Sequence, residues 1–187
     1  MNRLAIALTI SAALASTLAH AEAPDLSKVN GSLTAEAGKT YGDIDTVNGS
    51  ISVEEKAVAQ TVETVNGSIT IDPFARVGDV STVNGKILMR NGVAARSVET
   101  VNGSIVGVSN LRIEKGVEAV NGSIEIGASS LVGGNVETVN GAITLLAMKI
   151  GGNVETVNGN VTIGENSVVA GHLKVNKPKG WGINWGK

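Results

Sequence analysis

Val62-Glu-Thr-Val-Asn-Gly-Ser-Ile-Thr-Ile71 is the stretch on which the fold turns. Close copies stand at Val98-Glu-Thr-Val-Asn-Gly-Ser-Ile105 and Val154-Glu-Thr-Val-Asn-Gly-Asn-Val-Thr-Ile163. The Val-Asn-Gly at their centre occurs eight times, with its asparagine at Asn30, Asn48, Asn66, Asn84, Asn102, Asn121, Asn140 and Asn158. Val175-Asn176-Lys177 reads as a ninth, decayed copy. Successive asparagines, the ninth included, are 18, 18, 18, 18, 19, 19, 18 and 18 residues apart. A fixed short period of this kind is the mark of a stacked repeat architecture.

Two topologies compete for the motif. Asn-Gly between alternating apolar residues is a strong signal for a tight hairpin, which would make an antiparallel meander. The other reading stacks the copies as coils of a parallel β-solenoid. Near-identity of consecutive copies favours stacking, because only a solenoid gives every copy the same environment. The second half of each repeat is looser but still apolar, as at Val93 and Ala95, Leu111 and Ile113, or Met148 and Ile150. Each repeat therefore offers about three short apolar stretches between turns, which suits an all-β parallel β-helix of about eight coils of 18–19 residues. At about 4.8 Å per coil the rod would be about 40 Å long. The one extra residue in each 19-residue repeat fits in a turn or bulge.

Asn-Gly is expected at a sharp corner, since Gly reaches positive φ without steric cost and Asn tolerates it better than most residues. Stacking would set the eight asparagines one above another, each amide donating to the next. Strict alternation from Val62 puts Thr64 and Asn66 on one face and Val65 on the other, yet the near-constancy of that Val points to burial. A corner or bulge between Thr64 and Val65 would reconcile the two, and the sequence does not choose.

Composition agrees with short β-branched strands and Gly turns. Aromatics are 2% of the 187 residues, too few for an ordinary globular core, and there are 24 glycines. With no cysteine, neither a disulfide framework nor a thiolate metal site is available. Residues 1–21 read as a secretory signal: Arg3, an apolar run from Leu4 to Leu18, and Ala19-His20-Ala21 as the cleavage site. That run is short for a membrane span, so no transmembrane segment is expected after cleavage. Residues 22–46 form a lead-in and a divergent first capping coil, in which Tyr41 is expected over the open end. Residues 47–173 are the regular coils, and 174–187 a basic, Trp-containing tail. The location implied is periplasmic or secreted.

Without Arg3 the net charge is about −3, which argues against nucleic acid as a partner. Outside the signal segment the only histidine is His172, so a catalytic triad or a His-based metal site has nothing to use. Hexapeptide-repeat acyltransferases share the 18-residue coil, but here the pattern returns every 18 residues and not every six. Val132-Gly-Gly-Asn135 and Ile150-Gly-Gly-Asn153 are turns, lacking the Lys-Ser/Thr end of a phosphate loop. No cofactor, no metal and no enzymatic activity are expected.

Two surface features remain. The residue two before the motif Val is Asp45, Glu63, Ser81, Glu99, Glu118, Glu137 and Glu155 in successive coils. Stacked about 4.8 Å apart, neighbouring carboxylates would repel by roughly 0.9 kcal/mol in water before screening. They form either a solvated acidic face or a stripe for cations or a basic partner. The tail carries Lys177, Lys179, Trp181 and Trp185, which either cap the last coil or contact a membrane surface, an envelope polymer or another partner.

The phrases Val-Glu-Thr-Val-Asn-Gly-Ser-Ile and Val80-Ser-Thr-Val-Asn-Gly-Lys-Ile87 resemble those of a bacterial adhesin-like family of β-strand-repeat proteins. The stacking is similar to that of bactofilins, the polymer-forming cytoskeletal β-helices. The resemblance covers about residues 29–176. It implies a right-handed coil and an exported, non-catalytic surface or envelope protein whose partner is an unknown envelope component. The likeness to bactofilins implies self-association through coil ends or a flat face.

Overall fold

The computed structural model describes residues 23–175. It is an all-β solenoid of 21 strands in a 13-stranded and an 8-stranded sheet, and every strand pair is parallel. Residues 18 or 19 apart face one another, as Val62 with Val80 and Glu118 with Glu137. No Val-Glu-Thr-Val copy pairs with its own downstream strand, so the hairpin reading is excluded.

One coil serves for all. Ile51–Val53 forms the first side. A corner follows, and Val58–Asn66 supplies the second and third sides from one bent strand. Six side chains point inward: Ile51 and Val53, Ala57 and Ala59, Val62 and Thr64, all buried. Gln60 and Thr61 are both outside the core between Ala59 and Val62, so alternation slips by one residue there and the strand bends. The core is a set of six vertical columns, aliphatic or small except where Tyr41 enters the Ala59 column at the N-terminal end.

Across the corner after the first side, a small residue faces a larger one in several coils. Facing pairs run Val53 with Ala57, Met89 with Val93, then Gly107 with Leu111 and Ile126 with Ser130. A Cβ on Gly107 would overlap Leu111 Cδ1, so the larger residue at one corner uses the space left at the other.

The extra residue of each 19-residue repeat sits at the bend between the second and third sides. Glu114, Lys115 and Gly116 separate Ile113 from Val117 where earlier coils use two residues, and the strand divides into Arg112–Ile113 and Val117–Asn121. Later coils keep the three-residue bend. The repeat returns to 18 because the corner before Met148 is one residue shorter.

The two ends differ. At the N-terminal end Leu26–Asn30 covers part of the first full coil. The Asp25 carboxylate accepts from the Asp43 N–H at 2.8 Å. Tyr41 is buried in an inward column, its hydroxyl accepting from the Glu36 N–H. At the C-terminal end Ile163 is 37% and Leu173 53% exposed, although their counterparts Leu145 and Val154 are fully buried. Val175 pairs with Thr156 and not with Val157. The ninth copy is therefore a correction: Val175 takes the place of the buried Thr, one position out of phase with Val-Asn-Gly. The signal segment and the tail lie outside the described residues.

Candidate functional site

The corner built by Thr-Val-Asn-Gly is the most regular surface feature of the rod. Thr64 points inward, and its hydroxyl donates to the Gly49 carbonyl one coil below at 2.9 Å; Thr46, Thr82, Thr100, Thr138 and Thr156 do the same. Ala119 takes this place in one coil. Val65 points outward and is half-buried, which settles the open question about its face. Its near-constancy does not come from the core.

The asparagines form one continuous outer chain. Asn48 Nδ2 donates to Asn30 Oδ1 at 3.1 Å, and the bonds repeat through Asn66, Asn84, Asn102, Asn121 and Asn140 to Asn158 at 2.8–2.9 Å. These side chains are exposed, so each bond replaces a bond to water and contributes modestly. Gly follows Asn for a reason other than the one expected. Of these motif glycines only Gly31 has positive φ. A Cβ on Gly49, Gly67, Gly85, Gly103, Gly122, Gly141 or Gly159 would instead overlap the carbonyl oxygen of the glycine one coil below. Backbone crowding excludes a side chain there.

On the third side Asp45, Glu63, Ser81, Glu99, Glu118, Glu137 and Glu155 stack in register. Lys174 continues the column and pairs with Glu155 at 2.7 Å, which ends the acidic row. Burial, then the neighbouring Glu99 and Glu137, holds the Glu118 carboxyl above the ordinary range. Burial, followed by Asp43, does the same for Glu63. Among the described residues no three His, Asp or Glu side chains come together as a metal site. Beside the acidic row runs the half-exposed ridge of Val47, Val65, Val83 and their equivalents.

The second side carries a column that sequence reading missed. Val58, Arg76, Ala94, Arg112, Leu131, Lys149 and Val168 are paired coil to coil and face outward. Cations alternate with apolar residues along it. Among the described residues Arg76, Arg112 and Lys149 make no ion pair, whereas Arg96 at the bend is held by Asp79. A shallow groove of about 860 Å³ follows this side from Gln60 to Gly133. The signal lies in plain view, one residue after Ala57 and its equivalents, but only the fold aligns it into a column.

His172 stands at the last bend, where its N–H donates to Asn153 Oδ1 at 2.9 Å and its carbonyl accepts from Val154. It has no acidic or nucleophilic side-chain partner among the described residues' hydrogen bonds. Lys177, Lys179, Trp181 and Trp185 lie outside the described residues. No helix among the described residues is long and apolar enough to cross a membrane.

The fold defines the class: a parallel β-solenoid of about eight coils, compatible in architecture with bactofilin-type β-helices. Compared with protein-family models, with curated proteins and with solved structures, the chain matches none.

Proposed function

We propose that the chain is an exported, non-enzymatic β-solenoid that acts by presenting its long sides to an envelope or surface component, in the manner of an adhesin or scaffold. The observation that carries this reading is the continuity of the side surfaces. Over seven coils six acidic residues, interrupted at Ser81, run in register beside one apolar ridge, and among the described residues no loop is inserted to build a cleft. Rigid parallel stacking supplies a fixed spacing without cost at the moment of binding. Export rests on residues 1–21, and the adhesin-like reading on the resemblance of the repeat phrases.

The test has two arms. Expressed with its first 21 residues, the chain is recovered outside the cytoplasm with Glu22 at its N-terminus. The purified mature chain then co-sediments with envelope fragments, and Glu99→Lys with Glu137→Lys weakens that binding. An unprocessed cytoplasmic product, or no binding to envelope fragments, overturns the proposal.

A second reading is self-association through coil ends or a flat face: among the described residues Ile163 and Leu173 of the last coil are exposed, which favours the first route, and the in-register sides favour the second. In the coil-end route the tail acts as a cap that holds end-to-end growth in check. Deleting 177–187 then converts a monomer into end-to-end polymers, as seen by light scattering. A deletion variant that stays monomeric removes the capping role.

A further inference from the structure

We infer that two copies of this chain associate side to side, the cation–apolar column of one against the glutamate–valine side of the next. The inference rests on the self-association reading above and names the surfaces that carry it.

The molecule is nearly neutral, with 15 basic and 17 acidic residues, but its charge is sorted by side. Arg76, Arg112 and Lys149 occupy every second coil of the second side, free of ion pairs among the described residues. Glu99, Glu118 and Glu137 occupy successive coils of the third. Glu114 lines the same groove as Arg76 and Arg112 without pairing with either, and among the described residues no cation pairs with Glu99, Glu118 or Glu137. Apolar side chains accompany both rows. Leu131 and Val168, 41% and 54% exposed, alternate with the cations, and the Val65-type ridge runs beside the glutamates. Eight valines stand on the outward face, six of them half-buried, and the core does not explain their repetition. A covering partner does explain them.

The common pitch identifies that partner. Coils rise by about 4.8 Å, so the cations recur at about 10 Å and every second glutamate does the same. Only a partner of equal pitch keeps each cation opposite a glutamate over several coils, with the valine ridge packed alongside the contact. A second copy has that pitch by construction. Because the two surfaces differ, the contact is heterologous and leaves one of each free, so growth continues past a dimer. The area is small. A side about 34 Å long and 10 Å wide buries roughly 700 Å² in total, below the ~1,200 Å² of a stable interface. The association is therefore weak and sensitive to salt.

Sedimentation velocity of the mature chain, residues 22–187, provides the test across protein concentration and ionic strength. Wild type shows species beyond dimer at low salt that dissolve at high salt. Arg76→Glu with Arg112→Glu, or Glu99→Lys with Glu137→Lys, lowers the association constant by roughly tenfold or more. An equimolar mixture of the two variants restores association. All four positions lie outside the core, and circular dichroism confirms that the strands persist. Glu137→Gln, milder, gives a smaller drop in the same direction. Wild type that stays monomeric at low salt overturns the inference and the flat-face route, while the coil-end route is decided separately by the deletion of 177–187. Association abolished by Ile163→Lys with Leu173→Lys, but unchanged in both charge variants, overturns the side-to-side contact and leaves self-association through the coil end standing.

Discussion

At the Asn-Gly corner the side chains repeat from coil to coil, whereas at the corner after Val53 they differ in nearly every coil. Yet the second corner is the one with the demanding backbone. Gly38, Lys56, Phe74, Gly92, Asn110, Ser129, Ala147 and Asn166 stack there, all with positive φ, and six of the eight are not glycine. The Asn-Gly corner needs little from φ but brings stacked backbones so close that no Cβ fits. The contrast separates two kinds of cost. A left-handed residue at an open corner is penalised one coil at a time, by about 1–2 kcal/mol, and many side chains can bear it. A clash between a Cβ and the carbonyl of the coil below is passed to the neighbouring coils, so every stacked copy must avoid it.

Substitutions at the two corners sharpen this contrast. The largest effect is expected for Gly85→Ala. Its Cβ would overlap the Gly67 carbonyl, and relief requires prising two coils apart. A loss of about 4 kcal/mol or more in urea unfolding is expected; a change under 1 kcal/mol would sink the crowding argument. Lys56→Gly at the other corner should act in the opposite direction, stabilising by about 1 kcal/mol as strain at φ 58° is removed. Asn102→Ala breaks two exposed ladder bonds, to Asn84 and Asn121. It should cost only about 1 kcal/mol, since water competes for both amides. A much larger loss would make the ladder, and not the glycine, the main constraint at that corner.

The smallest effect concerns the acidic row. The Glu118 carboxyl is held above its ordinary value of 4.5 by burial and by Glu99 and Glu137. A raised folded pKa means that the native state binds the proton more tightly than the unfolded chain. Its contribution to stability therefore grows as pH falls from neutral through the folded pKa toward 4.5, and is lost as pH rises again. Glu118→Gln should raise the Tm at pH 7 and leave a flatter profile between pH 7 and 5. A variant less stable than wild type at pH 7 would show that the carboxylate is compensated by something else.

The parallel stack, the period and the register of the asparagine column were legible from eight copies of one tripeptide. The alternation was legible from Val62 to Val65 and stops there: strict alternation put Asn66 on the face of Thr64, but Thr64 is buried and Asn66 turns outward at the corner. Constancy of Val65 looked like burial, and its outward face shows that repetition marks any shared environment, inside or outside. The left-handed column was not legible, because Lys56, Phe74, Ser129 and Ala147, four of its eight members, carry side chains that do not favour positive φ. Nor was the cation–apolar column. Arg76, Arg112 and Lys149 are 36 and 37 residues apart in the chain and become neighbours only through the coil register.

By itself the sequence determined that the chain stacks on itself, because an identical local pattern needs an identical local environment and a solenoid supplies one. Tertiary structure alone decided which face each residue shows, why the corner glycines cannot carry a Cβ, and which distant charges share a side. Those properties belong to contacts between coils, and no single repeat contains them.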